Sequence, residues 1–552
     1  MNTATSSLTS NADRWLLRAC VWLPLAALLL FFALPMLGIG WRSLVQDSDG
    51  SLGAGNYAAL LNSPGIWRAV GNSLMLGVSV TLLTLLMATV LAYGLERTAM
   101  LGKRFISIAM ALPVLAPSLV LGLGLIFLLG RGGVLARLLD IRPEIYGFWG
   151  LLLANVLYAL PEAVLIVRAA LRHGDARQYE AAEVMGAGAL RQFIDITLPG
   201  MTYGLLSAGF VVFTITITDF GNAVVIGGNF PVLATEIYNQ VNGQMKFGLG
   251  SAVGILLLLP AALSVWIDRV AAHRQGATTL ATPPALTPRT VCDKAFLITS
   301  LLICGTVYVV IGTVVVASFI ELWPYKLAFT LKHYDITISG GYTPLWTSII
   351  VSLLAAVLGT LLLCTLAFGT RRLPGPAAHL ANLLSVLPVG VPGLVLGLAY
   401  IFTFNSATMP WGVLYGSMVL LALCNYYHYH TQGYVIMMTG MRNISTALED
   451  ATAVLGGGTN RVLRDVYLPA LRITLLSVAI FLFMRSMVTL AAVIFLVTPS
   501  LSLASVTVMR LDEAGLTSEA AAFSTCIMVI VGTMALVLHW VTDRMLTTTS
   551  SK

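Results

Sequence analysis

A chain of 552 residues that is 58% apolar and only 10% charged cannot fold as a soluble globule, because so few charges cannot cover so much apolar surface. The formal charge of +7 comes with no basic face and no aromatic-interleaved patch, which speaks against a nucleic-acid partner and for the lipid bilayer. Six cysteines (Cys20, Cys292, Cys304, Cys364, Cys424 and Cys526) lie in or beside apolar runs without metal-ligand spacing and read as small hydrophobes.

Apolar runs of about 20 residues or more, each able to cross about 30 Å of hydrocarbon, predict membrane helices. Twelve occur, near 15–40, 69–95, 104–130, 147–170, 200–226, 247–268, 294–320, 347–369, 378–403, 413–437, 473–497 and 520–543. The first follows Arg14 and Arg18 but is too long for a signal-peptide core and lacks a small-residue cleavage site, so it is expected to remain as a helix. With the N-terminus inside, 21 of the Lys and Arg residues fall in cytoplasmic segments and 9 outside, with Arg485 left within a span. That bias predicts both termini in the cytoplasm.

Residues 269–293 form the one long polar, Pro- and Thr-rich stretch, read as a cytoplasmic linker between a first half, 1–268, and a second, 294–552. The halves repeat one another. Asn72-Ser73-Leu74 matches Thr347-Ser348-Ile349, Leu112-Pro113 matches Leu387-Pro388, and Pro117 matches Pro392, all at an offset of 275. After a five-residue deletion the offset is 270, where Asn155 meets Asn425, Gly186 meets Gly456 and Leu198-Pro199 meets Leu468-Pro469. Each half has an even number of predicted helices, so both insert in the same orientation and are expected to pair as a pseudo-dimer around a central path.

The longest cytoplasmic loop of each half, about 171–199 and 438–472, holds the most informative residues. The first reads Glu180-Ala181-Ala182, then Gly186, then Leu198-Pro199; the second reads Asp450-Ala451-Thr452, then Gly456, then Leu468-Pro469. Small residues allow close helix approach, Gly ends the short helix, and Pro opens the next span where no N–H is needed. This spacing resembles the EAA loop of ABC importer permeases, the binding-protein-dependent transport family. The resemblance implies an all-α polytopic fold of two six-helix bundles in a bacterial inner membrane. It also implies that each loop docks on one of two ATPase subunits, that a periplasmic binding protein delivers the solute, and that ATP and Mg belong to the ATPase. The chain itself lacks a phosphate loop: only Lys103 follows a Gly, and Arg104 stands where Ser or Thr would be needed. It is therefore read as a transport subunit that binds no cofactor or metal. A major-facilitator secondary transporter is the rival of another class, and it lacks the duplicated loop.

Within the family, the fused chain resembles permeases for 2-aminoethylphosphonate and, less closely, for ferric iron; a polyamine type is a further alternative. The wording around Thr218-Asp219-Phe220-Gly221, Leu233-Ala234-Thr235-Glu236 and Leu503-Ala504-Ser505 carries the phosphonate likeness. Arg485, expected near the centre of a span, would cost at least ~2.5–3.5 kcal/mol if bare and should face protein or water. Repeat symmetry sets Ile215 at its matching position, among Thr214, Thr218 and Asp219, with Asp219 expected on the same helical face. Arg485 would attract an anionic group, and Asp219 with the threonines would face a cationic or hydroxylated part. Asn155 and Asn425 are expected to link the halves or satisfy local backbone. His428 and His430, two apart on a helix, point away from each other and should not share an ion. The outer loops 41–68 and 321–346 are expected to receive the binding protein, with Trp67, Trp323, Tyr325, Tyr342 and Trp346 at the headgroups.

Overall fold

Within hydrocarbon a backbone must satisfy its own polar groups, and helices do so along a single segment. The computed structural model describes residues 11–172, 174–274, 290–336, 340–373, 375–405 and 409–550. These are helical apart from loops, two isolated bridges and one hairpin, Ile320–Leu322 against Lys326–Phe329. Residues 275–289 of the predicted linker lie outside the described residues, and helices Phe247–Arg274 and Thr290–Ala317 cover both of its ends.

Among the described residues, nine helices are long and apolar enough to cross a membrane, and two bent pairs raise the number to eleven, not the twelve expected. The difference is the run 413–437, which folds as Met418–His428 and His430–Arg442, interrupted at Tyr429. The two bent pairs are Pro376–Gly390 with Gly393–Phe404, at 114°, and Thr459–Ala470 with Arg472–Val488, at 71°. The Leu-Pro repeat explains the first bend. Pro113 and Pro388 sit in 3-10 turns at Leu112–Leu115 and Leu387–Gly390, where missing N–H groups end one helix before Leu119–Leu129 or Gly393–Phe404 begins.

A second interruption recurs in both halves and corrects the predicted spans 200–226 and 473–497. The helix Leu198–Thr218 stops at Asp219 (φ −70°, ψ 121°), and Arg472–Val488 stops at Thr489 (φ −69°, ψ 128°), the matching residue. Beyond the break the first half forms one short helix, Gly221–Ile226, and then another starts inside the protein at Leu233, as one does at Ala504 in the second half. Its first N–H is an orphan donor, and each half supplies the same acceptor. The Ser73 hydroxyl takes the Leu233 N–H at 2.8 Å, and the Ser348 hydroxyl takes the Ala504 N–H at 2.7 Å. Asn72 adds a bond from its amide to the Pro231 carbonyl at 2.9 Å.

The repeat halves are not the packing units. One compact unit comprises Met1–Arg42, Tyr342–Val506 and Ile527–Lys552; the other comprises Ser43–Gly341 and Thr507–Cys526. Each therefore takes the first helix of the other half. In the unit built on Ser43–Gly341, Pro64–Arg97 packs on Phe148–Arg172 and Leu198–Thr218, while Thr290–Ala317 lies along Leu119–Leu129. In the other, Thr343–Arg372 packs on Arg472–Val488, Met418–His428 and Asn11–Leu28.

Replacing Ser73 or Ser348 by Ala removes a buried cap. Each is expected to destabilise its unit by about 1 kcal/mol, read as a lowered unfolding midpoint in detergent. Thr202→Ala, at an exposed position, should leave the midpoint unchanged and serves as the control.

Candidate functional site

The two loops predicted to face the cytoplasm fold alike through three successive elements at the offset of 270. A short helix, Ala176–Val184 or Thr446–Val454, is followed by one turn at Ala189–Gln192 or Thr459–Val462. A five-residue π turn then leads into the next span, at Phe193–Thr197 or Leu463–Tyr467. Gly186 closes the first helix at φ +75° and Gly456 the second at φ +71°. The Gly186 N–H bonds the Glu183 carbonyl and the Ala187 N–H reaches back to Ala182, both at 2.9 Å; Gly457 N–H reaches Thr452 in the same way at 2.9 Å. These are Schellman closures, which require a left-handed residue at the turn. A Cβ on Gly186 or Gly456 would meet nothing within 4 Å, so backbone conformation selects glycine there and crowding does not.

Each closure pushes an apolar pair into the open. Val184 and Met185 are 89% and 79% exposed, and Val454 and Leu455 are 86% and 81% exposed. Ala181, Ala451 and Asp450 are exposed, whereas Ala182 is buried, which accounts for its small size. Thr452 bonds back to the Leu448 carbonyl at 2.9 Å. Leu198 and Pro199, like Leu468 and Pro469, open the following helix at the surface. Glu180 lies with Ala176, Tyr179 and Glu183 on the face lining a cavity of about 530 Å³, whose walls include Tyr93, Phe193 and Phe296.

The anchors of these loops are residues that the motif did not single out. Arg97 donates to the Leu171 carbonyl at 2.7 Å and its guanidinium stands 4.9 Å from the centre of the Tyr179 ring. The Tyr179 hydroxyl then bonds that of Thr197 at 2.9 Å. In the second half Arg371 donates to the Ile444 carbonyl at 2.7 Å, and Glu449, at the repeat position of Tyr179, pairs with Arg371 at 3.2 Å and Arg372 at 3.4 Å. Tyr467, matching Thr197, donates to Glu449. The sequence signal was present as an arginine at the same helix end in both halves, Arg97 and Arg372, with paired exchanges at 179/449 and 197/467.

The predicted solute-path residues sit differently from expectation. Arg485 is in the last turn of Arg472–Val488, not mid-span, and its guanidinium lies over the rings of Tyr429 and Phe481 at 5.8 and 5.9 Å. Asp219 is past the end of its helix, so the shared-face argument with Ile215 fails; its carboxylate accepts the Asn222 N–H at 3.1 Å. Thr214 and Thr218 donate to the carbonyls of Phe210 and Thr214, each at 2.8 Å. Asn155 donates to the Leu151 carbonyl of its own helix at 2.9 Å, and Asn425 donates to the Ser486 hydroxyl at 2.7 Å, so each of these bonds stays within its own unit. The break at Tyr429 also removes the helical-direction argument for His428 and His430; His430 Nδ1 instead meets the Tyr426 hydroxyl at 2.8 Å. Of the expected headgroup anchors, Trp67, Tyr325 and Trp346 are exposed, whereas the half-buried Trp323 donates its indole N–H to the Phe127 carbonyl at 3.1 Å.

Residues 80–276, which include the whole first loop, match the family described as binding-protein-dependent transport system inner membrane component. Over 183 residues the chain is 31% identical to the molybdenum transport system permease protein ModB of Azotobacter vinelandii, covering 32% of this chain and 81% of that one. The chain belongs to this family of ABC importer permeases. It is also 26% identical over 496 residues to the ferric transport system permease protein FbpB of Actinobacillus pleuropneumoniae, covering 86% of this chain and 71% of that one. A chain in the crystal structure of a bacterial importer of the polysaccharide alginate is 20% identical, with 48% of this chain and 98% of that one covered and a TM-score of 0.41. By its family membership and its apolar helices the permease is a multi-pass transport subunit and not an enzyme.

At Gly186 the left-handed backbone makes a testable demand. Gly186→Val is expected to cost about 1–2 kcal/mol locally, opening the loop to limited proteolysis, while Gly186→Asn, which tolerates that conformation, should remain close to wild type.

Proposed function

We propose that this permease forms the path by which a small solute, delivered by a periplasmic binding protein, crosses a bacterial inner membrane with both termini in the cytoplasm. Two ATPase subunits dock on the loops at Ala176–Val184 and Thr446–Val454 and drive the opening and closing of the path. The observation that carries this reading is the matched pair of apolar tips, Val184-Met185 and Val454-Leu455, each presented by the same kind of turn. Two such tips at repeat-related positions fit two copies of one partner, and exposed apolar side chains on a polar loop are what a buried interface consumes. Glu180, Ala181, Ala182 and Gly186, with Asp450, Ala451, Thr452 and Gly456, shape and orient the tips. Leu198-Pro199 and Leu468-Pro469 pass the movement to the spans.

For the solute we favour 2-aminoethylphosphonate or a related phosphonate. Arg485, at the break of its span, supplies the positive group for the phosphonate, and Asn425, beside Ser486, offers an amide. In the other half, Asp219, Thr214 and Thr218 lie at the end of Leu198–Thr218, the matching break, and Asn155 is the counterpart of Asn425. Ferric iron is the second reading, supported by the similarity to a ferric permease along 86% of this chain.

Val184→Asp or Leu455→Asp, each placing a charge on an exposed tip, should leave membrane insertion intact and release the ATPase from the purified complex. Co-purification at wild-type level would remove the docking assignment. For the solute, Arg485→Met should reduce uptake of radiolabelled 2-aminoethylphosphonate at least about tenfold, the worth of one charge-assisted contact, with ATP hydrolysis retained. Uptake of ferric iron instead of the phosphonate by the wild-type importer would establish the second reading.

A further inference from the structure

We propose that Asp13 is a positioning residue that ties the amino-terminal helix to the second docking loop, so that this loop moves with that helix. The proposal rests on the docking role given to the loops above.

The turn Thr459–Val462 opens the helical path from the second loop into its span, and its N-cap, Gly458, has no side chain to take an orphan N–H. Asp13 does so from the other end of the sequence. Its Oδ1 accepts the Thr459 N–H at 2.6 Å, across 446 residues of chain. A Cβ on Gly458 would stand 2.8 and 2.9 Å from the two Asp13 carboxylate oxygens. Gly458 has φ −76°, a conformation open to any residue, so what a side chain there would disturb is the Asp13 carboxylate, which it would push aside. The helix Asn11–Leu28 touches Thr459–Val462 beyond this one bond, and a carboxylate at the start of a helix is further favoured by the backbone dipole.

An acidic residue near the start of a helix also stands by the first loop. Asp293, near the start of Thr290–Ala317, accepts the Ala99 N–H at 3.1 Å. With Ala189, the first residue of the matching turn, it lines the cavity of about 530 Å³. Asp13 holds the second loop at Thr459, so movement of the amino-terminal helix passes through that turn toward Val454 and Leu455.

The test uses the assembled importer, permease with ATPase subunits, in liposomes, with the exposed Cys292 replaced by Ser. A spin label is placed on Leu455→Cys or, separately, on Met185→Cys, and ATP hydrolysis is followed in parallel. Asp13→Ala should mobilise the label at 455, leave that at 185 unchanged, and lower ATP hydrolysis about fivefold, the shift expected for the loss of one cap. Adding Gly458→Ser to Asp13→Ala restores a local cap without restoring the tie, and should leave the 455 label mobile and hydrolysis low. An unchanged label or rate in Asp13→Ala, or recovery in the double variant, overturns the proposal, because the bond would then serve only local capping. Should the alanine chain fail to accumulate, Asp13→Asn keeps the shape and an acceptor without the charge, and must show an intermediate mobility at 455; wild-type mobility there also overturns it. In the wild type, a 455 label that ATPase binding does not immobilise would refute the docking reading by itself, leaving the Asp13 comparison in the free permease to stand or fall separately.

Discussion

A helix that ends within hydrocarbon leaves backbone donors and acceptors that no water can reach, and the interior of this permease is arranged around that constraint. Both halves interrupt a span, at Asp219 and at Thr489, and farther along each starts a short buried helix, at Leu233 or Ala504, whose first N–H needs a partner. The partner is a serine in the first turns of a neighbouring span, Ser73 or Ser348, and the bond lengths of 2.8 and 2.7 Å are nearly the same. Because the interruption is satisfied internally, non-helical backbone can be held at depth, which is where a solute path needs polar groups that an unbroken helix would keep to itself.

The two repeated loops show the opposite balance, with one backbone geometry held by two different side-chain sets. The glycine closure and the π turn are reproduced residue for residue, because they depend on φ and on hydrogen-bond register. The anchor beneath them is free to vary as long as both members change together. Tyr179 with Thr197 became Glu449 with Tyr467, and the aromatic ring moved from the loop to the span while Arg97 and Arg372 kept their matching places. An arginine serves either arrangement, since its guanidinium stacks on a ring or pairs with a carboxylate.

Period and repeat made most of the helices legible in the sequence, and the Gly and Leu-Pro spacing located both loops. What pattern alone missed follows from two physical causes. Composition shows how apolar a stretch is but says little of where its backbone stops being helical, so Asp219 and Thr489 fall within predicted spans. Tyr429 was likewise hidden inside an apolar run, and with it the interruption between His428 and His430. Contacts between distant residues were the second gap: nothing local to Asp13 or to Gly458 announces the other, and the exchange of first helices between packing units is invisible to a repeat that is colinear in sequence. The motif pointed to Glu180 and Asp450, whereas the anchors are their neighbours Tyr179 and Glu449, which differ between halves and so escape a search for sameness.

Fusing two halves in one chain allows the matching breaks to carry different chemistry. Arg485 lies three residues before the end of its helix, and Ile215 occupies the same place in the other half. A cation there is less costly than at the middle of a span. The carbonyl end of the helix favours positive charge, the Tyr429 and Phe481 rings offer their faces, and the Thr489 hydroxyl bonds the Arg485 carbonyl at 2.6 Å. The break therefore accounts for how the charge is tolerated, not for why it is present in one half alone. The half with Ile215 makes the same break at the same register, so the break does not by itself demand the charge. Arg485 is thus a difference between the halves that the shared backbone permits, held at a helix end whose carbonyls and neighbouring rings accept it.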